Sequence, residues 1–208
     1  MSSDVDICNL ALALVGAPSI HSITVDSPKE SGLCRVFYPM VRDFNLSSYD
    51  WSFARKTYKL QQSSEDGMYG PLYPIPSNCL TPLTVVTPCG DEILWEVEGD
   101  DISIPHLSTG PQCTDVYLKY TVQQTNAERF SQSFIRLLYT DLAIHLTLPL
   151  VNDVKTQERL NNQLKVMRLE VEATDANIGS QDLVPADDPE KDTFVSPPGS
   201  RYSRGWGR

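Results

Sequence analysis

Apolar side chains in the first fifty residues recur every three or four positions, the spacing that places them on one face of a helix. The first such stretch covers residues 4–15. Asp4 is placed to cap its start, and Gly16, followed by Pro18, is placed to end it. These features predict an amphipathic helix. The apolar positions expected to face the core are Ile7, Leu10, Ala11, Leu14 and Val15.

A second helix is predicted to begin after residue 27, where the start signal is stronger. Ser27 offers an N-cap, Pro28 a first helical residue and Glu30 the acidic partner of a capping box. Pro39 lies inside this stretch and is expected to bend the helix or interrupt its hydrogen bonds. The predicted core-facing stripe consists of Leu33, Val36, Phe37, Met40, Val41 and Phe44, with Tyr49, Trp51 and Phe53 as core anchors beyond it.

From about residue 52 the pattern changes to the alternation of apolar and polar side chains that is typical of strands. Ile93, Trp95 and Val97 alternate with Glu92 and Glu96, which predicts one strand with an acidic face. The sequence therefore predicts a small antiparallel β unit. Its expected strands are residues 53–62, 92–97, 102–104 and 116–122, with a loop rich in proline and tyrosine over 67–82 and a turn over 98–101.

Helical spacing returns after residue 128. The third predicted helix covers residues 130–148 and is strongly apolar, and Pro149 is expected to end it. Asn152 or Asp153 is expected to cap a fourth helix that continues to about residue 176. Its core stripe is Leu160, Leu164, Met167 and Val171. The order of elements predicts a mainly α protein with a β insertion: a four-helix bundle (residues 1–51 and 128–178), an antiparallel β insertion between helices 2 and 3 (52–127) and an extended C-terminal arm (179–208).

The predicted arm has a polarised charge. Five acidic residues over 182–192 precede three arginines, and frequent prolines keep the segment from forming a core of its own. Arginine and aromatic side chains are enriched at binding hot spots. We therefore predict a partner-binding arm, with a free disordered tail as the alternative. Its predicted contact residues are Arg201, Tyr202, Arg204, Trp206 and Arg208.

Negative charge is concentrated in the middle of the chain. The net charge is −10, and between residues 60 and 127 nine acidic residues accompany one basic residue, Lys119. A protein that grips nucleic acid through phosphates needs clustered lysines and arginines, so that function is not expected. The acidic excess is explained either by a solvated face that keeps the protein soluble or by a surface that repels DNA.

Cysteine spacing and hydropathy narrow the class of protein further. The five cysteines are widely spaced and no C-x-x-C pair is present, so we expect free thiols rather than disulfides or a zinc site. No apolar run reaches the roughly 20 residues that span a bilayer, and no basic stretch opens a signal peptide. These observations favour a cytosolic product without membrane contact.

Candidate catalytic groups are few. Asp141 and His145 are one helical turn apart, but no serine or cysteine nucleophile is placed beside them by a motif. The acidic residues over 96–101 do not match a calcium loop, and the strand and turn pattern explains them without a glycosidase pair. Glycine loops that bind phosphate are absent from the sequence. We therefore predict no catalytic, cofactor or metal site, and a protein that is not an enzyme.

Several short stretches have a family likeness when they are taken in order. They are residues 7–13 (ICNLALA), 15–17 (VGA), 37–38 (FY), 41–43 (VRD), 51–55 (WSFAR), 116–120 (VYLKY), 142–144 (LAI) and 148–150 (LPL), then Glu172-Ala173 and Asp175-Ala176. Together they resemble the head-to-tail adaptor family of short-tailed bacteriophages, the tail tubular protein A-like proteins. The likeness covers nearly the whole chain and depends on the order and spacing of the stretches. Pro39 and the 67–82 loop depart from the family pattern.

The resemblance implies a structural virion protein at the head–tail junction, assembled in the host cytoplasm. A homomeric ring of twelve copies would dock beneath the portal protein, receive the tail nozzle on its lower face and surround the channel through which DNA passes. An acidic wall suits such a channel, because phosphates held by many basic contacts would leave slowly. We therefore expect an acidic lumen or nozzle face formed by Glu92, Glu96, Glu98, Asp100 and Asp101, and an arm that contacts the portal or a neighbouring copy.

Two other functions remain open from the sequence. One is a tail completion or assembly factor that acts away from the portal junction. The other is a virion-associated glycan hydrolase, which would need a pair of carboxylates in a cleft.

Overall fold

The computed structural model describes residues 3–24, 29–105 and 115–181. Over these residues the chain forms four α-helices and two small antiparallel sheets, which confirms the prediction of helices on both sides of a β region. The helices are α1 (Asp4–Val15), α2 (Lys29–Ser47), α3 (Gln132–Val151) and α4 (Val154–Gln181), with short 3₁₀ helices at Ser52–Ala54 and Ala127–Arg129. The strands are β1 (Arg55–Lys59), β2 (Leu72–Pro74), β3 (Cys79–Val86), β4 (Glu92–Ile93), β5 (Glu96–Glu98), β6 (Asp101–Ser103) and β7 (Tyr117–Val122).

The predicted bounds of α1 are confirmed, but its cap is Ser3 and not Asp4. The Ser3 hydroxyl accepts a hydrogen bond from the Asp6 backbone N–H at 3.2 Å, and the Asp6 carboxylate accepts one from the Ser3 N–H at 2.8 Å. The Asp6 carboxylate also accepts a hydrogen bond from the Ser3 hydroxyl at 2.8 Å, and the two bonds that it accepts from Ser3 lower the pKa of Asp6. Asp4 is already the first helical residue, and its carboxylate instead accepts a hydrogen bond from the Tyr38 hydroxyl at 2.8 Å. Gly16 ends the helix with φ 74°, as predicted.

Replacing Ser3 with alanine is expected to lower the free energy of unfolding by about 1 kcal/mol, because the two hydrogen bonds that the Ser3 hydroxyl makes with the Asp6 N–H and carboxylate are lost. Urea denaturation followed by far-ultraviolet circular dichroism measures the change. Ser3→Thr retains the hydroxyl and is the matched control. If alanine and threonine destabilise the protein equally, the cap is not the source of the effect.

The core-facing stripe predicted for α2 is wrong at three of its six residues. Val36, Met40 and Phe44 are exposed by 64%, 50% and 61%, and only Val41 of the predicted six is fully buried. The face of α2 that is buried is more polar than predicted, because its polar side chains have buried hydrogen-bond partners. The buried residues of α2 are Ser31, Cys34, Tyr38, Val41, Arg42, Asn45 and Leu46. The predicted start at Ser27 and Pro28 lies outside the described residues.

The prolines of α2 and α3 are accommodated within these helices. Pro39 lies inside α2, which continues for two further turns, and α3 extends past Pro149 to Val151. The prediction that Pro149 ends its helix is wrong, since a proline in the last turn removes only one hydrogen bond. The helix ends at Asn152, which has φ 54°. Asp153 then caps α4, as predicted, by accepting a hydrogen bond from the Thr156 N–H at 3.3 Å.

Helix α3 is the central helix of the described residues. It packs against α1, α2 and α4. By length and composition it is apolar enough to cross a membrane, but 61% of that window is buried inside the protein. A core helix that is mostly buried passes the same test of length and composition.

The strands form two sheets. The chain leaves one sheet and enters the other within residues 92–97, where a single strand was predicted. The four-stranded sheet has the order β1-β7-β3-β4, and the three-stranded sheet has the order β2-β6-β5. Glu92 pairs with Val86 in the first sheet, whereas Glu96 pairs with Ser103 in the second. The predicted strand over 92–97 is therefore wrong, because it is interrupted at Leu94 and Trp95.

The predicted loop over 67–82 also contains strand structure. Pro74 ends the three-residue strand β2, and Pro82 lies in β3, next to a register shift in the pairing with β7. A proline lacks the N–H that a regular ladder uses, so strands tolerate it at edges and bulges. The prolines therefore led to the prediction of a loop where the chain forms β2 and the first half of β3.

Two clusters of buried apolar side chains stabilise the described residues. In the helical cluster Trp51 is fully buried and packs edge-on against Phe134, with ring centroids 5.0 Å apart. This confirms the prediction of Trp51 as a core anchor. The second cluster joins the two sheets through Tyr73 and Ile102 on one side and Leu118 on the other.

Candidate partner-binding surfaces

The five predicted acidic residues lie on two different sheets. Glu92 is on β4, while Glu96, Glu98 and Asp101 are on β5 and β6, and Asp100 is in the turn between them. All are exposed except Asp101, which is half-buried. Among the described residues, no group of three or more His, Cys, Asp or Glu side chains is arranged to hold a metal ion. The three-stranded sheet thus carries a concentrated acidic surface that has no metal-binding geometry.

This surface brings like charges together. Glu98 and Asp101 are directly opposite each other in the β5–β6 pair, an arrangement that is unfavourable for two carboxylates. The Glu98 carboxylate accepts a hydrogen bond from the Met68 backbone N–H at 3.2 Å. One backbone donor does not neutralise two negative charges. The surface therefore favours a positively charged partner or acts by repelling a negatively charged one.

A glycine-containing loop over residues 65–71 lies on the same surface. The Gly67 N–H donates a hydrogen bond to the Gly70 carbonyl at 2.7 Å, which closes the loop. A Cβ atom on Gly67 would lie 2.3 Å from a Glu98 carboxylate oxygen, so the loop is close to the sheet and a side chain there would require the Glu98 side chain to move. The loop presents Met68, exposed by 81%, and Tyr69, exposed by 50%.

Replacing Gly70 with alanine is expected to destabilise the protein by about 1–3 kcal/mol, because Gly70 has φ +154° and a Cβ there would lie 2.2 Å from the Ile104 carbonyl oxygen. Gly90→Ala is the matched control, since Gly90 also has a positive φ, of +89°, but open space around it. Urea denaturation of both variants separates the destabilisation caused by the Cβ contact with Ile104 from that caused by a positive φ. Equal losses in the two variants would contradict the close approach at Gly70.

A small cavity lies where the loop meets the ends of β5 and β6. Its volume is about 180 Å³. It is lined by Tyr69, Leu94, Trp95, Glu96, Ser103 and Pro105. Leu94 is exposed by 84%, so the lining combines an exposed apolar side chain with the carboxylate of Glu96. The sequence pattern does not predict this cavity, although the two glycines of Asp66-Gly67-Met68-Tyr69-Gly70 indicate a tight loop.

The second surface is the exposed stripe on α2, formed by Val36, Met40 and Phe44. These side chains recur every four residues, so they lie along one line on the helix. An apolar cavity of about 220 Å³ adjoins the stripe and is lined by Met40, Val41, Phe44 and His145. Exposed apolar patches of this kind mark interaction sites more often than scattered single residues do.

A third surface lies on α4. Val166 and Leu169 are exposed by 61% and 71%, while Leu160 and Met167 are buried in the helical cluster. Because 166 and 169 lie on the opposite side of the helix from 160 and 167, α4 has an apolar pair that faces away from its own core. The described residues therefore present two apolar helix surfaces on different helices.

The Asp141–His145 pair is present, but Asp141 has a closer partner. Its carboxylate lies 3.8 Å from the His145 ring nitrogen and accepts a hydrogen bond from the Asn45 amide at 2.7 Å. The His145 ring stacks on Phe37, with centroids 5.8 Å apart. These contacts connect α2 to α3 and place the pair in helix packing.

The cysteine prediction is confirmed at three positions and wrong at one. Cys8, Cys34 and Cys79 are free thiols. A hydrogen bond with Cys34 and burial raise the pKa of Cys8, which disfavours the reactive thiolate. Cys89 is disulfide-bonded. Sequence spacing does not reveal which thiols a fold brings together.

The predicted arm contacts fall outside the described residues. They are Arg201, Tyr202, Arg204, Trp206 and Arg208. No family model matches the chain, and no curated protein is significantly similar to it.

Proposed function

We propose that the chain is a ring-forming structural adaptor of a short-tailed phage, which joins the portal to the tail nozzle and surrounds the DNA exit channel. In this proposal the four helices form a bundle that makes the contacts between neighbouring copies. The β region contributes the acidic wall, and the C-terminal arm contacts a partner. The ring would comprise twelve copies.

The observation that carries the proposal is the exposed apolar stripe of Val36, Met40 and Phe44 on α2. A ring built by rotation needs two different complementary surfaces on each copy, because one copy's first surface meets the next copy's second. The exposed pair Val166 and Leu169 on α4 supplies an apolar second surface. Side-by-side association would remove both from water.

The acidic surface supports the channel role. Glu96, Glu98 and Asp100 are exposed, and Lys119, the one basic residue between positions 60 and 127, lies on β7 of the other sheet. A wall of this charge would not retain DNA phosphates.

Electron microscopy of the full chain mixed with its portal protein tests the proposal. The expected result is a ring of copies beneath the portal, with an open lumen. A chain that stays monomeric with the portal, or that binds it as single unconnected copies, would overturn the adaptor role and favour a different tail assembly function.

A further inference from the structure

The cavity between the 65–71 loop and the ends of β5 and β6 has the features of a binding site for a cationic side chain. Glu96 supplies a carboxylate at its wall, and Tyr69 and Trp95 supply aromatic rings. A guanidinium group forms paired hydrogen bonds with a carboxylate and stacks on aromatic faces. The wall therefore contains both contacts that an arginine uses.

Ser103 gives independent evidence that the cavity is made for a ligand. The residue is fully buried, lines the cavity and pairs with Glu96 across the β5–β6 ladder. Its hydroxyl oxygen has no hydrogen-bond partner among the residues that the structure describes. Buried polar side chains almost always have a partner, so an unpartnered hydroxyl indicates that a donor is supplied from elsewhere.

Charge selects the class of ligand. The cavity has Glu96 in its wall, while Glu98, Asp100 and Asp101 follow on the same sheet. A phosphate or another anion would be repelled. A sugar fits aromatic and carboxylate groups but gains nothing from the surrounding negative charge. An arginine is favoured over a lysine, since its planar group matches the carboxylate and the rings together.

The chain itself contains a segment of this chemistry. Residues 201–208 hold three arginines with Tyr202 and Trp206 between them, and no acidic residue. Helix α4 passes next to the start of the β region, where the Asp175 carboxylate accepts a hydrogen bond from the Ser52 N–H at 2.9 Å. From Gln181 the chain needs 20 residues to reach Arg201, which span up to about 65 Å when extended. That length is sufficient to reach another copy.

We propose that the cavity of one copy receives an arginine from residues 201–208 of a neighbouring copy. The guanidinium donates to the Glu96 carboxylate and to the Ser103 hydroxyl, and it stacks against Tyr69 or Trp95. The arm thereby locks adjacent copies together. This inference deepens the proposed function by naming the partner of the arm, and it rests on side-by-side association of the copies.

A peptide-binding experiment tests the site. The acceptor is the full chain with its own arm neutralised, R201Q/R204Q/R208Q, and the probe is a fluorescein-labelled peptide of residues 194–208, followed by fluorescence anisotropy. Saturable binding is expected. Adding Glu96→Gln to the acceptor should weaken binding about tenfold, because a charge-assisted pair is lost. Glu92→Gln removes the same charge from the other sheet and should change the affinity less than twofold.

Three outcomes would overturn the site. They are an absence of peptide binding, equal weakening by Glu96→Gln and Glu92→Gln, and equal binding of a peptide in which the three arginines are replaced by lysines. The second would show attraction by the acidic surface as a whole. Tyr69→Ala, at an exposed ring, provides a second variant and should weaken binding severalfold.

Mixing two variants tests whether the contact joins neighbouring copies. A chain with Glu96→Gln retains the arm, and a chain with R201Q/R204Q/R208Q retains the cavity. Sedimentation velocity should show that only the mixture associates. Peptide binding without association of the mixture would mean that the arm binds its own copy, against the proposal. Ring formation on the portal is measured separately. A failure of the contact between arm and cavity can therefore be distinguished from a failure of the adaptor role.

Discussion

Replacing Asn45 with leucine is expected to lower the free energy of unfolding by about 3 kcal/mol or more. The Asn45 side chain is fully buried where three helices meet. Its amide N–H donates to Asp141 on α3 at 2.7 Å, and its amide oxygen accepts from Arg168 on α4 at 2.9 Å. Leucine has the same number and branching of side-chain heavy atoms, with larger methyl groups, but makes neither bond. The nearly buried carboxylate of Asp141 would lose its closest hydrogen-bond donor, and a buried polar group that loses its donor is costly.

Urea denaturation monitored by circular dichroism measures this loss. Asn161→Leu is the matched control, because Asn161 is exposed on α4 and the same substitution there should change the free energy of unfolding by no more than about 0.5 kcal/mol. A loss below about 1 kcal/mol for Asn45→Leu would show that the three-helix network is not a main source of stability.

The helix bounds were predictable from local signals. Gly16 and Asp153 act on the backbone within one turn of their own position, so their effect does not depend on the rest of the fold. The sequence does not distinguish Ser3 from Asp4 as the cap, because both residue types cap helices and only the backbone conformation separates the cap from the first helical residue.

The faces of the helices were less predictable, and α2 shows why. Periodicity locates an apolar stripe but does not say whether it faces the core. Tyr38 and Asn45 lie on the buried side of α2 because Asp4 and Asp141, far away in sequence, accept their hydrogen bonds. Such partners are invisible in one sequence. An apolar stripe that faces outward therefore has the same sequence pattern as one that faces the core.

The residues of the acidic surface could be predicted from the sequence, but their distribution over two sheets could not. The alternation around Glu92 and Glu96 has the period of one strand, yet the chain leaves one sheet and enters another at Leu94 and Trp95. Trp95 is partly buried against the cluster that joins the sheets, so tertiary packing overrides the local pattern. The cavity beside Ser103 exists only because of this crossing.

Replacing Met40 and Phe44 together with glutamate is expected to reduce ring formation on the portal by about 100-fold or more. Burying each of these side chains contributes roughly 1.5–3 kcal/mol relative to exposure, and each is already about half buried in the single copy. The remaining apolar area of the two therefore represents about 1.5–3 kcal/mol per contact, which is about 10- to 150-fold in affinity. Two glutamates add the cost of removing charge from water.

The stability of the single copy separates a docking surface from a core position. Because Met40 and Phe44 are exposed by 50% and 61%, the double variant should unfold at nearly the wild-type urea concentration. Gln163→Glu, at an exposed polar position of α4, is the matched control and should leave ring formation unchanged. Normal rings from the double variant would exclude the α2 stripe from the contact between copies. A large loss of stability would instead mean that the stripe belongs to the core after all, because water-exposed side chains cannot be the source of such a loss.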